Sequence, residues 1–162
     1  MIRLAEKNDM GRILEIYSVA RKFMRLNGNP TQWSGKYPDE EVLLDDIENG
    51  HLFVVTDDAG GVCGCFALIG GDDPTYRYID GAWKSDAPYG AIHRVASDGT
   101  RRGIFGECVA FARERFDHLR IDTHNDNLPM QHVILKNGFE HTGIIYIEDG
   151  SPRRAYEWIA EM

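Results

Sequence analysis

The sequence of 162 residues lacks the long apolar runs and the basic surplus that mark several classes of protein. It opens MIRLAEKND, without the apolar stretch of a signal peptide, and it has no run of about 18 apolar residues that would cross a membrane. A formal net charge of −8 opposes binding to the phosphate backbone of nucleic acids. We therefore expect a cytoplasmic protein with neither nucleic-acid nor membrane partners. The acidity suits a cationic substrate such as an amine, and it is equally ordinary for a soluble protein.

Cysteine is scarce, which excludes a disulfide framework, because the chain has three cysteines, Cys63, Cys65 and Cys108. Cys63 and Cys65 alternate along a predicted strand, so we expect both to point to one face of a sheet as small buried hydrophobic residues. The six histidines form no H-x-x-x-H pattern beside a carboxylate. We therefore predict no metal site.

Internal repeats, low-complexity tracts and linkers are also absent, so we expect one domain over residues 1–162. Hydrophobic periods and turn signals predict the order β-α-α-β-β-β-α-β-α-β-β, without an assignment for residues 70–90. A strand–loop–helix–strand succession in the second half predicts one parallel crossover, and the hairpins predict antiparallel pairs elsewhere. The fold class is therefore α/β (α+β), with a mixed, mostly antiparallel sheet and helices on both faces. The predicted strands are 2–4, 51–56, 62–69, 91–96, 118–123, 143–148 and 153–159, and the predicted helices run from 8 or 9 to 26, from 38 to 50, from 104 to 116 and from 128 to 137.

A glycine-rich loop, SDGTRRGIFG over residues 97–106, lies between a predicted strand and a predicted helix. The first N–H groups of a helix have no intrahelical partner and lie at its positive end, where they attract phosphate. Gly99 and Gly103 permit a positive φ, and Arg101 and Arg102 add charge and donors. The loop matches neither the Walker nor the dinucleotide fingerprint. Taken alone, it is equally a turn with glycines for geometry and arginines for solubility.

The stretch from 95 to 139 resembles the GNAT superfamily of acyl-CoA N-acyltransferases. Val95 takes the first position of the loop pattern V-x-P-x-x-[QR]-x-x-G-x-[GA], and Gly103 follows at the expected interval. Asn127 precedes the pair Gly138-Phe139 at the interval of the helix pattern N-x-x-A-x-x-x-Y-x-x-x-G-F. The opening IRLAEKNDMGRILEIYSVA is similar to the first strand and helix of that family, so the resemblance spans nearly the whole chain.

The chain departs from the family pattern at several positions. Ser97 replaces the common Pro, Thr100 the usual Gln or Arg, and Phe105 the usual Gly or Ala. Ile134 occupies the place of the usual acidic Tyr. Phe105 falls on one helix stripe with other apolar residues, so we expect it in the core rather than against a ligand.

The resemblance implies that acetyl-CoA is the co-substrate and that no metal takes part. Its diphosphate would bind the N–H groups of residues 101–106, and its pantetheine arm would pair with residues 95–97 like an added strand. Asn127 would contact the arm from the other side. The residues expected to bind acetyl-CoA are Val95, Ala96, Ser97, Arg101, Arg102, Gly103, Ile104, Gly106 and Asn127.

Direct acetyl transfer to an amine needs a group that takes the amine proton and a donor that polarises the thioester carbonyl, but no covalent nucleophile. A backbone N–H near Val95 or Ala96 is a candidate for the donor. Histidine suits a general base near neutral pH. His93 or His124 is the candidate base, acting directly or through water.

His93 shares a strand face with Val95, and Asp122 shares one with His124, on two strands expected to diverge around the thioester. Tyr146 is the candidate that protonates the leaving thiolate, because Ile134 has no acidic proton. Each of these side chains has an alternative interpretation as a hydrogen-bonded or surface residue.

The acceptor is less defined by the sequence. Trp33 and Tyr37 lie in the loop GNPTQWSGKYP and either line a pocket for an ammonium group or pack as a lid. Arg153 and Arg154 either meet an acceptor carboxylate or are solvated. We expect an N-acetyltransferase that moves an acetyl group from acetyl-CoA to a small-molecule primary amine. A protein or peptide N-acetyltransferase, a non-catalytic acyl-CoA-binding module and a homodimer stay open.

Overall fold

A computed structural model describes residues 1–33 and 35–161 of the chain. Its strands and helices follow one another in the predicted order, with one short strand added between the third and fourth predicted strands. The strands are β1 (Ile2–Leu4), β2 (Leu52–Thr56), β3 (Val62–Gly70), β4 (Asp80–Gly81), β5 (Gly90–Ser97), β6 (His118–Thr123), β7 (Glu140–Tyr146) and β8 (Pro152–Ile159). The helices are α1 (Met10–Leu26), α2 (Glu40–Glu48), α3 (Ile104–Arg113) and α4 (Leu128–Lys136).

The eight strands form one sheet in the order β1-β2-β3-β5-β6-β8-β7-β4. Every neighbouring pair is antiparallel except β5 and β6, which are parallel and joined through α3. This arrangement confirms the predicted mixed, mostly antiparallel sheet and its single parallel crossover. No helix in the described ranges is both long enough and apolar enough to cross a membrane.

Helices cover both faces of the sheet, as predicted. On one face, Ile13 and Tyr17 of α1 and Leu43 of α2 pack with Val54 and Ala67. The opposite face is covered by α3 and α4, whose buried residues include Ile104, Cys108, Val109 and Ile134. Each helix buries its apolar stripe and leaves polar residues outside, so burial of these two layers supplies the main stabilisation of the fold.

The segment between β3 and β5, for which the sequence gives no assignment, adds a third small core. A 3-10 helix (Pro74–Tyr76) and β4 lie in this segment. Tyr76 and Tyr89 are buried there with Ala91, Ile145 and Ala155. The segment therefore covers the same face of the sheet as α1 and α2, beside the middle strands.

The expectation that Cys63 and Cys65 share a face is wrong. Gly64 pairs with Val55 and Val62 pairs with Thr56, so Cys63 is an extra residue in a β-bulge. Cys63 packs in the core under α3, whereas Cys65 packs under α1. All three cysteines are buried, and burial raises the pKa of the Cys65 thiol to about 12.

Phe116 lies just beyond α3, which ends at Arg113 rather than at residue 116. Its ring packs over the paired glycines Gly70 and Gly90 of β3 and β5. A Cβ atom at Gly90 would lie 2.6 Å from the Phe116 ring. These two glycines therefore make room for an aromatic ring on the sheet surface.

Substitution of Gly90 by Ala is expected to lower the free energy of unfolding by about 1–3 kcal/mol, because the new methyl group overlaps the Phe116 ring. Chemical denaturation of the single variant and of the Gly90→Ala/Phe116→Leu double variant measures this. We expect the two substitutions to be less than additive, since Leu leaves room for the methyl group. Additive losses would show that the clash is not the cause.

Candidate active site

The parallel strands β5 and β6 diverge, which opens a cleft in the middle of the sheet. They pair only from Gly90 to Ile92 on β5, and β5 then continues to Ser97 along β3 alone. The cleft has a volume of about 870 Å³ and lies at the carboxyl ends of both strands. Ligands bind at such a position in open sheets, because the backbone groups there have no strand partner.

A strained residue marks the point of divergence. Arg94 has a φ of 52°, and the β3–β5 register shifts opposite it, between Cys65 and Ala67. The Arg94 guanidinium donates to both carboxylate oxygens of Asp46 at 2.9 Å, and the Tyr17 hydroxyl donates to the Arg94 carbonyl at 2.6 Å. These bonds from α2 and α1 offset the cost of the left-handed backbone, about 1–2 kcal/mol.

His93 and Asp122 face each other across the cleft from the two diverging strands. The His93 Nε2 atom lies 2.8 Å from Asp73 Oδ2, and its Nδ1 atom lies 4.0 Å from Asp122 Oδ1. The second distance is too long for a direct hydrogen bond. All three side chains line the cleft and are about four-fifths buried.

Asp73 fixes the protonation pattern of His93. Burial opposes its charge, but hydrogen bonds from His93 and Thr75 lower the pKa of Asp73 to about 2. Asp73 is therefore a carboxylate at neutral pH and accepts only, so the shared proton lies on His93 Nε2. With that proton on Nε2, the Nδ1 atom is the ring nitrogen that faces the cleft and Asp122 and can accept a proton.

The Asp73 carboxylate is expected to make stability depend on pH in the acid range. Because its pKa in the folded state lies below the ordinary value, its contribution is complete above about pH 4 and is lost as the pH falls toward 2. The free energy of unfolding of the wild type should exceed that of Asp73→Asn at pH 6, and this difference should shrink toward pH 2. A difference that stayed constant over this range would contradict the role of the carboxylate.

Tyr76 holds the Asp122 carboxylate in place through a hydrogen bond. Its hydroxyl donates to Asp122 Oδ1 at 2.6 Å, and only 1% of the residue is exposed. Burial and the neighbouring Asp122 charge raise the pKa of Tyr76, so the hydroxyl stays protonated at neutral pH. The 3-10 helix and its N-cap residue Asp73 thus contact both strands. Asp73 binds His93 of β5, and Tyr76 binds Asp122 of β6.

His124 also lines the cleft, but both of its ring nitrogens have partners. Its Nδ1 atom accepts the backbone N–H of Asp126 at 2.9 Å, and Nε2 lies 3.2 Å from the Thr31 hydroxyl. Burial, and then the charge of Arg153, lower the pKa of His124. His124 is therefore a neutral ring that fixes the chain around the cleft and has no free lone pair.

Tyr146 lies away from these groups. It is 41% exposed on β7, its ring packs against Tyr78, and it is absent from the cleft wall. Ile134, at the position of the family's usual tyrosine, lies on the buried face of α4 and is fully buried in the core.

The loop that follows β5 has a row of free N–H groups. Gly103 caps α3 in the left-handed conformation, with a φ of 80°, and a Cβ atom there would meet nothing within 4 Å. Among the described residues, the backbone N–H groups of 101–106 have no hydrogen-bond acceptor, because the first helical bond runs from Glu107 to Gly103. The geometry is that of an anion site at a helix N-terminus.

The side chains of this loop differ in their exposure and in their partners. Arg101 pairs with Glu107 and lies near Cys63, whereas Arg102 is exposed. Ile104 is buried in the core, and Phe105 packs at its edge, as predicted for Phe105. Ile104 therefore offers only its backbone N–H to a ligand.

The last three residues of β5 also differ in their exposure and in their partners. Val95 lines the cleft, while Ala96 is buried under α1. The Ser97 hydroxyl accepts the N–H of Gly99 at 3.0 Å, which turns the chain into the loop. Gly106 lies in the first turn of α3, where a Cβ atom would be 3.5 Å from Asn137.

Gln32 ties the loop after α1 to the far wall of the cleft. Its Oε1 atom accepts from Asn29 at 2.8 Å and from Asn127 at 3.1 Å. Asn127 also caps α4 by accepting the N–H of Met130 at 3.2 Å. Both polar atoms of the Asn127 side chain are thus already engaged, although the residue lines the cleft.

Trp33 and Tyr37 from the same loop form an aromatic wall of the cleft. Trp33 packs edge-on against Tyr17 with the ring centroids 5.5 Å apart. Tyr37 is 41% exposed at the rim, and its hydroxyl lies 3.4 Å from the Arg94 guanidinium. Trp33 is therefore held in place by α1, and Tyr37 is open to solvent.

Arg153 and Arg154 take opposite faces of β8. Arg153 lines the cleft and is 6% exposed. Arg154 instead donates to Asn125 at 3.2 Å and is absent from the cleft wall. No group of three or more His, Cys, Asp or Glu side chains that would hold a metal ion occurs in the described parts of the chain.

Sequence reasoning missed Asp73, Tyr76 and Gln32. A weak signal for the first two is the run DDPTY, where an acidic N-cap followed by Pro predicts a helical turn. No sequence pattern identifies Gln32, because its partners across the cleft, His124 and Asn127, lie more than ninety residues away.

The fold is shared with solved acetyltransferases. A GNAT-family acetyltransferase from Streptococcus agalactiae is 30% identical to the chain, with a TM-score of 0.88, over 100% of this chain and 96% of that one. A GNAT-family acetyltransferase from Listeria monocytogenes is 17% identical (TM-score 0.73), over 98% of this chain and 94% of that one. A ribosomal-protein-alanine N-acetyltransferase from Brucella melitensis is 19% identical (TM-score 0.62), over 98% of this chain and 99% of that one. No protein-family model and no curated protein sequence matches the chain.

Proposed function

The chain belongs to the GNAT family of acetyltransferases, and we propose that it moves an acetyl group from acetyl-CoA to the primary amine of a small molecule by direct transfer. The observation that carries the proposal is the cleft between β5 and β6, with His93 and Asp122 on its walls and a loop of backbone N–H groups without an acceptor directly after β5. Its volume of about 870 Å³ suits the end of a cofactor arm together with a small acceptor.

The residues around the cleft fit acetyl-CoA. The free N–H groups of 101–106 suit its diphosphate, and the open space at Gly103 allows the phosphates to approach the backbone. The free edge of β5 from Val95 to Ser97 suits the amide groups of the pantetheine arm. Arg102 is free to add charge, whereas Arg101 contributes through its backbone because Glu107 already binds its side chain.

Acetyl-CoA supplies a thioester whose carbonyl carbon is open to attack by a neutral amine. The chain must therefore bind an ammonium ion and remove one proton from it. Asp122 attracts the ammonium group, and the Nδ1 lone pair of His93 accepts the proton. Asp73 then stabilises the protonated ring through Nε2. The neutral amine nitrogen forms the new C–N bond as the C–S bond breaks, and its second proton passes to water as the thiolate takes a proton from water.

The leaving thiolate takes its proton from water in this proposal. Ile134 has no acidic proton, Tyr146 lies outside the cleft wall, and the Tyr76 proton is already donated to Asp122. The cleft opens to solvent at its rim, where Tyr37 is exposed, so water can reach the sulfur.

An assay with acetyl-CoA and a panel of amines, followed by release of free thiol, tests the proposed reaction. We expect thiol release that depends on the amine, together with an acetylated product detected by mass. Turnover of peptides alone would favour a protein or peptide N-acetyltransferase. Binding of acetyl-CoA without turnover of any amine would favour a non-catalytic acyl-CoA-binding module, a rival supported by the loss of the usual tyrosine at Ile134.

A further inference from the structure

Arg153 is a buried cation in the cleft without a countercharge in contact. Its side chain makes one hydrogen bond, from Nη1 to the backbone carbonyl of Pro152 at 2.9 Å. Among residues 1–33 and 35–161, no carboxylate lies within 4.0 Å of its guanidinium. A guanidinium has five N–H donors, so most of its capacity is unused by the protein.

The other arginine of the cleft wall behaves differently. Arg94 is satisfied by both oxygens of Asp46 and has a structural role at the bulge. The unpartnered nitrogens of Arg153 are not among the fully buried polar atoms, so they are open to the cleft and to a ligand bound there. Burial lowers the pKa of Arg153, and the charges of Asp122 and Asp149 only partly offset it. The geometry and the electrostatics of Arg153 both favour an anion supplied by a ligand.

The strand register places Arg153 near Asp122, the residue that is proposed to attract the amine. Ala155 of β8 pairs with Asp122 of β6, and Arg153 lies two residues before Ala155. Residues two apart on a strand share a face, so Arg153 and Asp122 lie on the same face of the sheet as diagonal neighbours. Diagonal neighbours are about 7–8 Å apart, a span that one small molecule bridges.

We propose that the acceptor is an amino acid or a close analogue, whose carboxylate binds Arg153 while its amine meets Asp122 and His93. This inference rests on the proposed acetyl transfer and adds the class of acceptor. An arginine suits this task because its planar N–H groups match both oxygens of a carboxylate. The aromatic wall of Trp33 and Tyr37 then faces the rest of the acceptor.

The kinetic test compares acceptors that differ only in the carboxylate: amino acids against their amides and the matching amino alcohols. For the wild type we expect kcat/KM for the amino acid to exceed that for the amide by roughly 10- to 100-fold, the range of a charged hydrogen-bonded pair. Arg153→Met should remove this preference by raising KM for the amino acid, with KM for acetyl-CoA unchanged. Arg153→Lys should restore part of it. The matched control Arg154→Met, on the opposite face of β8, should behave as the wild type.

A binding test examines recognition of the carboxylate by Arg153 without requiring that the protein acetylate any amine. N-acetyl amino acids and N-acetyl amino amides are added with CoA, and the shift in melting temperature is measured. We expect only the carboxylate ligand to stabilise the wild type and Arg154→Met, and neither ligand to stabilise Arg153→Met, whose own melting temperature without ligand reports its folding. Equal shifts for both ligands, a shift kept in Arg153→Met, or a rise in KM for acetyl-CoA instead would overturn the inference. Failure to acetylate any amine would overturn the proposed function alone.

Discussion

Replacing His93 with alanine is expected to lower kcat by roughly 100- to 10,000-fold, the usual contribution of a positioned general base. The reason is the proton pattern of the site, in which Asp73 holds a proton on Nε2 and leaves Nδ1 free to accept one. The measurement is kcat at saturating acetyl-CoA and amine over pH 6–9. The exposed His132 on α4 provides a matched control, because His132→Ala removes the same side chain outside the cleft.

Two further variants separate the role of His93 from that of its neighbours. Asp73→Asn should lower kcat with little change in KM, because an amide can donate to Nε2 and favour the tautomer with the proton on Nδ1. His124→Ala should lower kcat less than His93→Ala, since both nitrogens of His124 already have partners. The assignment of the base is wrong if His93→Ala keeps near wild-type kcat across this range, or if the His124 variant is the slower of the two.

Replacing Gly103 with alanine is expected to raise the dissociation constant of acetyl-CoA by roughly 10- to 100-fold. The new methyl group would stand in the open space beside the free N–H groups, where the phosphates are expected, and weaken charge-assisted hydrogen bonds worth about 1.5–3 kcal/mol. Titration calorimetry with acetyl-CoA measures the effect without turnover.

Gly60→Ala is the matched control for Gly103→Ala. Gly60 has a φ of 86° in the turn between β2 and β3, and a Cβ atom there also meets nothing within 4 Å. Both substitutions should cost about 1–2 kcal/mol of stability through the left-handed backbone. Only the Gly103 variant should lose affinity for acetyl-CoA. Equal affinity of the two variants for acetyl-CoA would show that the loop is not part of the binding site.

The sheet and its helices were predictable because hydrophobic periodicity reports which face of an element is buried. The parallel crossover from β5 to β6 follows from a strand, a loop, a helix and a strand in succession. The same periodicity failed at Cys63, because one extra residue in a bulge reverses the alternation of a strand. Bulges depend on the pairing with the neighbouring strand, which a sequence pattern does not contain.

The site was predictable only in part for a related reason. Strand alternation and the expected divergence predict His93 and Asp122 as candidates, and both side chains line the cleft. Asp73 and Tyr76 were missed because each acts on a residue far along the chain, 20 residues away for Asp73 and 46 for Tyr76. The orientation of Arg153 into the cleft likewise depends on the register of β8 with β6.

Amide hydrogen exchange with and without saturating acetyl-CoA reports directly on the backbone N–H groups that we assign to acetyl-CoA binding. We expect acetyl-CoA to slow exchange in two segments, residues 101–106 after β5 and residues 95–97 at its free edge, with no change in the turn at Gly60. Unchanged exchange in both segments at a saturating concentration would contradict the assignment of this cleft as the acetyl-CoA site.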